Sequence, residues 1–207
     1  MKTHKFRGTF RILIGIVLML GAAGLAGYNL WDDRRAASVS DAVIQQIIDA
    51  FPQRAGSQDE EPLDEGVPDY VLFPDMEMPA ITIDGYRYIG MVVIPTLELE
   101  LPIMEEWDYT RMKLSPCRYS GSVYLNNFVI CAHNYQSHFG RLDNLQENDE
   151  VIITDADGNI FRFEVADIEM LAGTAVEEMT AGDWDLTLFT CTYSGTARVT
   201  VRCRAIQ

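Results

Sequence analysis

The chain has 207 residues, 48% of them hydrophobic, which is enough to bury one domain core with length left for appendages. Its formal net charge is −15 and the basic residues gather nowhere in the soluble part, which excludes nucleic acid as a partner, because phosphate binding is carried by clustered Lys and Arg. Four cysteines, Cys117, Cys131, Cys191 and Cys203, have no CxxC spacing, so no zinc ribbon or thioredoxin-type site is indicated and no metal or other cofactor is expected.

Lys2, Lys5, Arg7 and Arg11 precede Ile12 to Leu30, a run without a charge and close to the ~20 residues that cross a bilayer core. A signal peptide also has a basic start and an apolar middle. This run is longer than a usual signal core and ends in Tyr28 and Trp31, side chains suited to a membrane interface. A retained anchor over 12–31 is therefore expected, with residues 1–11 cytoplasmic and the remainder outside a single-pass cell membrane. Ser38 to Phe51 reads as a membrane-proximal helix, with Ala42, Val43, Ile47, Ile48 and Phe51 at helical spacing and Ser38 or Ser40 as its cap. Pro52 to Pro79 is acidic and proline-rich with little periodicity, so residues 32–79 read as this helix followed by a linker or an extended arm.

From Ile81 the pattern turns to β. TIDGYRYIGMVVIP reads as a strand or a bent pair of strands, and in LELELPI the residues Leu97, Leu99 and Leu101 alternate with Glu98 and Glu100. Trp107 to Asn127 reads as a loop with one helical turn, rich in Ser, Tyr and Asn. Phe128 to Ala132 is a short apolar strand with His133 just past its end. His138 is expected at the surface, and the pair does not form the HExxH pattern of a zinc site. FGRLDNL predicts a helical turn. NDEVIITDADGNIFRFEV predicts a hairpin with Asp155 to Asn159 as its turn, lacking the ligand spacing of a calcium loop. Val176 to Met179 reads as one more helical turn. Cys117 and Cys131 are either a disulfide pair or two buried free thiols.

Two strand patterns close the chain. Leu186 to Phe189 leads to Cys191, Tyr193-Ser194-Gly195 carries turn chemistry, and Val199, Val201 and Cys203 alternate with Arg198, Thr200, Arg202 and Arg204. Adjacent antiparallel strands would bring the Cys191 thiol and the Arg198 guanidinium to one sheet edge. A thiolate attacks peptide carbonyls, an imidazole such as His133 can protonate the leaving amine, and a guanidinium can face the oxyanion. Arg202 and Arg204 share the parity of Arg198, which lies nearest the cysteine along the hairpin.

TLFTC at 187–191 resembles the TLxTC signature of sortases, the membrane-anchored cysteine transpeptidases of Gram-positive bacteria. YIGMVVIP, VICAHN, the stretch from FGRLDNL to FRFEV, and RVTVRC extend the resemblance over roughly residues 86–207. It implies a mostly β fold, an eight-stranded β-barrel with short helices over residues 80–207, with His133, Cys191 and Arg198 as the catalytic set. Thr190 would help shape the substrate site, and Phe73 with Asp75 would be candidates for a lid. The implied reaction is cleavage of an LPXTG-like sorting motif in secreted proteins through a thioacyl enzyme. Transfer would follow to an amine of a peptidoglycan cross-bridge or a pilin lysine. The short step from Cys191 to Arg198 and the form VICAHN leave the class open, class B-like or an unclassified clostridial type, and with it the sorting motif. The same three residues also suit a membrane-anchored cysteine protease that hydrolyses peptides, and the barrel alone suits a non-catalytic peptide binder.

Overall fold

A computed structural model describes residues 3–50 and 67–206 and divides into two compact units between Arg35 and Ala36. The acidic heart of the expected linker lies outside the described residues. Helix α1 (Thr3–Ala50) runs without a break through both the apolar run and the expected second helix, its residues up to Arg35 falling in the first unit and those from Ala36 in the second. Residues 31–39 hold neither Gly nor Pro, so nothing in the sequence interrupts the helical ladder there. Phe10, Ile12, Leu13, Leu18 and Leu25 are exposed, so this part of α1, long and apolar enough to cross a membrane, lacks the buried face of a soluble core helix.

The second unit is built on nine strands: β1 (Ile81–Ile83), β2 (Tyr86–Ile94), β3 (Leu99–Met104), β4 (Cys117–Ser120), β5 (Phe128–Ala132), β6 (Glu150–Asp155), β7 (Ile160–Ala172), β8 (Leu186–Cys191) and β9 (Ala197–Ala205). Their order is β1-β2-β3-β4-β5-β8-β9-β7-β6, and β6 pairs back onto β2. Strands β2 to β9 thus close an eight-stranded barrel, and β1 stands outside the ring. β2 can close it because it changes partner along its length: Tyr86 to Tyr88 pair with β1, and Gly90 to Val93 pair with β6. The change falls at Gly90, whose φ of +149° and close approach to the Thr154 carbonyl leave no room for a Cβ.

β4 lies within the stretch read as a loop. It has four residues and its pairing with β5 is broken by an irregularity between Arg118 and Ser120, too short a run to show a period. The β6–β7 hairpin turns where expected. There Asp155, fully buried, accepts bonds from the Asp157 and Asn159 backbone N–H groups, the Asn159 side chain and the Tyr124 hydroxyl.

Two apolar layers follow from strand alternation. Phe128, Ile130, Leu186, Leu188, Val199, Val201 and Cys203 fill the barrel. Val129, Cys131 and Phe189 face outward and meet Met112, Met179 and, from α1, Val43 and Ile47. The second part of α1 is therefore packed in the same unit as the barrel. The helix's Ser40 hydroxyl also donates to the Leu114 carbonyl at 3.4 Å. Residues 67–80 dock elsewhere. α2 (Asp69–Leu72) stacks Tyr70 on Tyr124 at 4.9 Å between ring centres, with Phe161 at 5.2 Å, and Met78 is buried in the barrel core. Tyr124 and Phe161 lie where β5 and β7 begin, the barrel end opposite Cys191. Phe73 and Asp75 are exposed there, so neither covers the cysteine.

Candidate functional site

Register brings the three predicted residues together. β5 and β8 run parallel with pairs from Phe128–Leu186 to Ala132–Thr190, so one step further aligns His133 with Cys191. β8 and β9 run antiparallel, and Cys191 lies directly across from Arg198. The set thus collects at one end of the sheet, on the outward face by the alternation that turns Cys131 and Phe189 outward.

Cys191 and Arg198 line one cleft of about 160 Å3 whose floor is Cys131 and Phe189. Its walls are Trp107, Tyr119, Met112 and Met179, the last from α3 (Val176–Thr180). Phe189 meets Tyr119 edge-on at 5.1 Å and Tyr119 meets Trp107 at 5.3 Å, an aromatic row leading from beside the thiol to the surface. Sequence reading missed this row because Trp107 and Tyr119 lie in a stretch without period. Cys191 is half-buried and open to the cleft, whereas Cys117, Cys131 and Cys203 are buried. Burial, with the neighbouring Cys191 adding, pushes the Cys131 thiol up to about 12, and burial also raises Cys117 and Cys203. Cys117 and Cys131 pair across β4 and β5, and both are free thiols.

Arg198 is half-buried, and its Nη1 donates to the Gly195 and Ala197 carbonyls, both at 3.1 Å. Gly173 makes room for it, since a Cβ there would approach Nη1 to 3.2 Å. Arg202 and Arg204 do not share this place. Arg202 is 3% exposed, paired with Glu169 at 2.8 Å, and donates to the Met179 and Glu178 carbonyls and to Thr187. It fastens the α3 wall of the cleft to the sheet. Arg204 lies over the Trp184 ring at 4.4 Å.

His133 is half-buried and is not part of the cleft lining. Its backbone N–H donates to the Met112 carbonyl at 3.3 Å, and its ring stacks on Tyr135 with centroids 4.2 Å apart and planes at 15°. His138, expected at the surface, is fully buried against Tyr135. Phe139 and Leu142, both inside the barrel core, draw its loop inward. Thr190 does not line the cleft either. It is 3% exposed, and its hydroxyl donates to the Ala132 carbonyl at 2.9 Å, tying β8 to β5 one residue before His133 and Cys191.

Among known families, the sortase domain model matches residues 92–206. Solved structures with this fold include sortase A from Corynebacterium diphtheriae, at 20% identity over 90% of this chain and 96% of that one, with a TM-score of 0.53. A Clostridium perfringens sortase C, crystallised with the C-terminal cell wall sorting motif, aligns at 22% identity over 68% of this chain and 76% of that one (TM-score 0.52). The sortase D5 transpeptidase of the same species aligns at 22% identity over 58% and 79% (TM-score 0.50). No curated protein matches the chain.

Proposed function

This chain belongs to the sortase family, and from that premise we propose that Cys191, His133 and Arg198 carry out a two-step transpeptidation on an LPXTG-like sorting motif. The observation that supports it most is the register that puts Cys191 across from Arg198 and one step beyond the Ala132–Thr190 pair. In the first step the Cys191 thiolate adds to the carbonyl carbon of the scissile peptide bond. The carbonyl oxygen takes the negative charge, and Arg198, whose fork of N–H groups lies on the same cleft, faces it. Collapse of the adduct breaks the C–N bond, and the leaving amine takes its proton from the His133 imidazolium. A thioester to Cys191 remains.

In the second step an acceptor amine gives a proton to His133 and attacks the thioester, the new peptide bond forms, and the thiolate leaves. The acceptor we propose is an amine of a peptidoglycan cross-bridge or a pilin lysine. Thr190 acts from behind the site, by holding β5 and β8 in the register that aligns His133 with Cys191. The apolar part of α1 anchors the chain, with the basic residues 1–11 on the cytoplasmic side and residues 80–207 as the extracellular catalytic domain.

The test is intact-mass spectrometry of the full chain in nanodiscs with a panel of sorting-motif peptides, with and without amines such as glycylglycine. The expected result is a peptide-acyl adduct, lost in Cys191→Ala and discharged to the amine faster than to water. Release by water alone, unaffected by amine, would show a hydrolase instead.

A further inference from the structure

His133 lies one residue past the end of β5, where the sheet ladder no longer holds it, yet general acid chemistry needs its ring in one orientation. We infer that Tyr135 is the positioning residue for His133, and that residues 134–142 form a preorganised platform for it. This inference rests on the reading of His133 as the acid of the transfer.

The stack itself is the first observation. The two rings lie 4.2 Å apart and 15° from parallel, so the tyrosine covers one face of the imidazole. A face contact fixes the plane of the ring while leaving its nitrogens to partners in that plane, where proton transfer occurs. The second observation is that Tyr135 is itself held. Its carbonyl accepts from the backbone N–H groups of His138 at 3.0 Å and Gly140 at 2.8 Å. Gly140 is required for that turn, because a Cβ there would sit 2.6 Å from the carbonyl oxygens of Asn134 and Tyr135. Phe139 and Leu142, fully buried, pin the loop into the barrel core, and the buried His138 ring packs on Tyr135 at 5.5 Å.

The third observation ties the platform to the rest of the site. Gln136, next to Tyr135, donates from Nε2 to the Tyr193 hydroxyl at 2.7 Å. Tyr193 lies in the turn between Cys191 and Arg198, so the loop that carries the histidine and the turn that joins the other two residues are bridged at the surface. A ring misplaced by about 1 Å can cost about a hundredfold in rate, so a stacked partner has a large effect through geometry alone.

The experiment uses the full chain in nanodiscs, a quenched fluorescent sorting-motif peptide, and an acceptor amine. Tyr135→Leu is expected to lower kcat by about ten- to a hundredfold with KM changed by less than about twofold, and Tyr135→Phe, which keeps the ring, to restore kcat to within about twofold of wild type. The decisive readout is the rate at which a methanethiosulfonate reagent labels Cys191. Tyr135→Leu should slow it in the wild-type background and leave it unchanged when His133→Gln is already present. A loss of equal size in the His133→Gln background would mean that the substitution merely disorders the loop, and would overturn the inference. So would wild-type kcat in Tyr135→Leu, or a Phe variant as impaired as the Leu variant. If His133→Gln alone transfers at the wild-type rate, the reading of His133 as the acid fails on its own, and that outcome is visible before any Tyr135 variant is compared.

Discussion

Thr190→Val removes one oxygen and keeps the shape of the side chain, and its consequences can be worked from the structure. The lost hydroxyl donates to the Ala132 carbonyl at 2.9 Å in a site only 3% exposed, so no water replaces it. An unmade buried hydrogen bond costs about 1–3 kcal/mol. For a protein of this size each kcal/mol lowers the melting temperature by about 2–4 °C, so a fall of about 2–12 °C is expected. The activity effect should be larger than the stability effect suggests, because the bond lies one residue before the aligned His133 and Cys191. Loosening β5 against β8 there changes the distance between His133 and Cys191, the proposed acid and nucleophile, and kcat should fall about tenfold or more while KM stays within about twofold. Thr190→Ser keeps the donor and should restore most of both. Differential scanning calorimetry and steady-state transfer assays on the three proteins decide the matter. A Val variant with wild-type kcat and melting temperature would refute the claim that this hydroxyl sets the register of the site.

Arg202→Met leaves the Glu178 and Met179 carbonyls and the half-exposed Glu169 without their partner, and losing these hydrogen bonds is expected to cost about 1–3 kcal/mol in chemical denaturation, with a rise in KM as the Met179 wall loosens. Ile47→Ala, at a fully buried position in the outer layer, should cost about 2–5 kcal/mol by the same assay and show that α1 is part of the catalytic unit. Iodoacetamide at pH 8 should add one carbamidomethyl group to the native chain, at Cys191, because burial holds the other three thiols protonated; labelling of Cys131 before unfolding would contradict this. Those raised thiols also predict alkaline sensitivity: the folded state keeps protons that the unfolded state loses above about pH 9, so stability is intact below that pH and falls as pH climbs further, measurable by denaturant titration.

The elements legible in the sequence are those whose signal is local. Alternation gave β3, β6 and β9, the Asp155 to Asn159 turn gave the β6–β7 hairpin, and the TLFTC run gave β8 with Cys191 at its exit. The pairing of Cys191 with Arg198 follows from a tight turn between adjacent strands, which a sequence shows directly. The elements that were hidden depend on contacts distant in sequence. β4 is four residues long and exists because β5 offers it an edge. The burial of His138 is decided by Phe139 and Leu142 reaching into a barrel closed by strands far along the chain. Arg198, Arg202 and Arg204 have one parity and one chemistry, and only the positions of Glu169, α3 and Trp184 separate the arginine of the cleft from the two that are occupied elsewhere.

The placement of the site has a physical consequence. A barrel this small fills its interior with side chains, so chemistry has to sit on its outer face, where a half-buried thiol would otherwise lie on open sheet. Here a second layer supplies the missing walls: Met112 from the stretch before β4, Met179 from α3 under the hold of Arg202, and the aromatic row from Phe189 to Trp107. The same layer contains Val43 and Ile47, so α1 contributes to the packing on which the cleft depends. Truncating α1 before Ser40 keeps every strand and all three proposed catalytic residues, and a barrel sufficient by itself would be unaffected. Removing Val43 and Ile47 as well should instead lower the melting temperature and raise KM, because Cys131 and Phe189, the floor of the cleft, lose their cover. Equal KM in the two truncated proteins would show that the barrel builds the cleft without the helix.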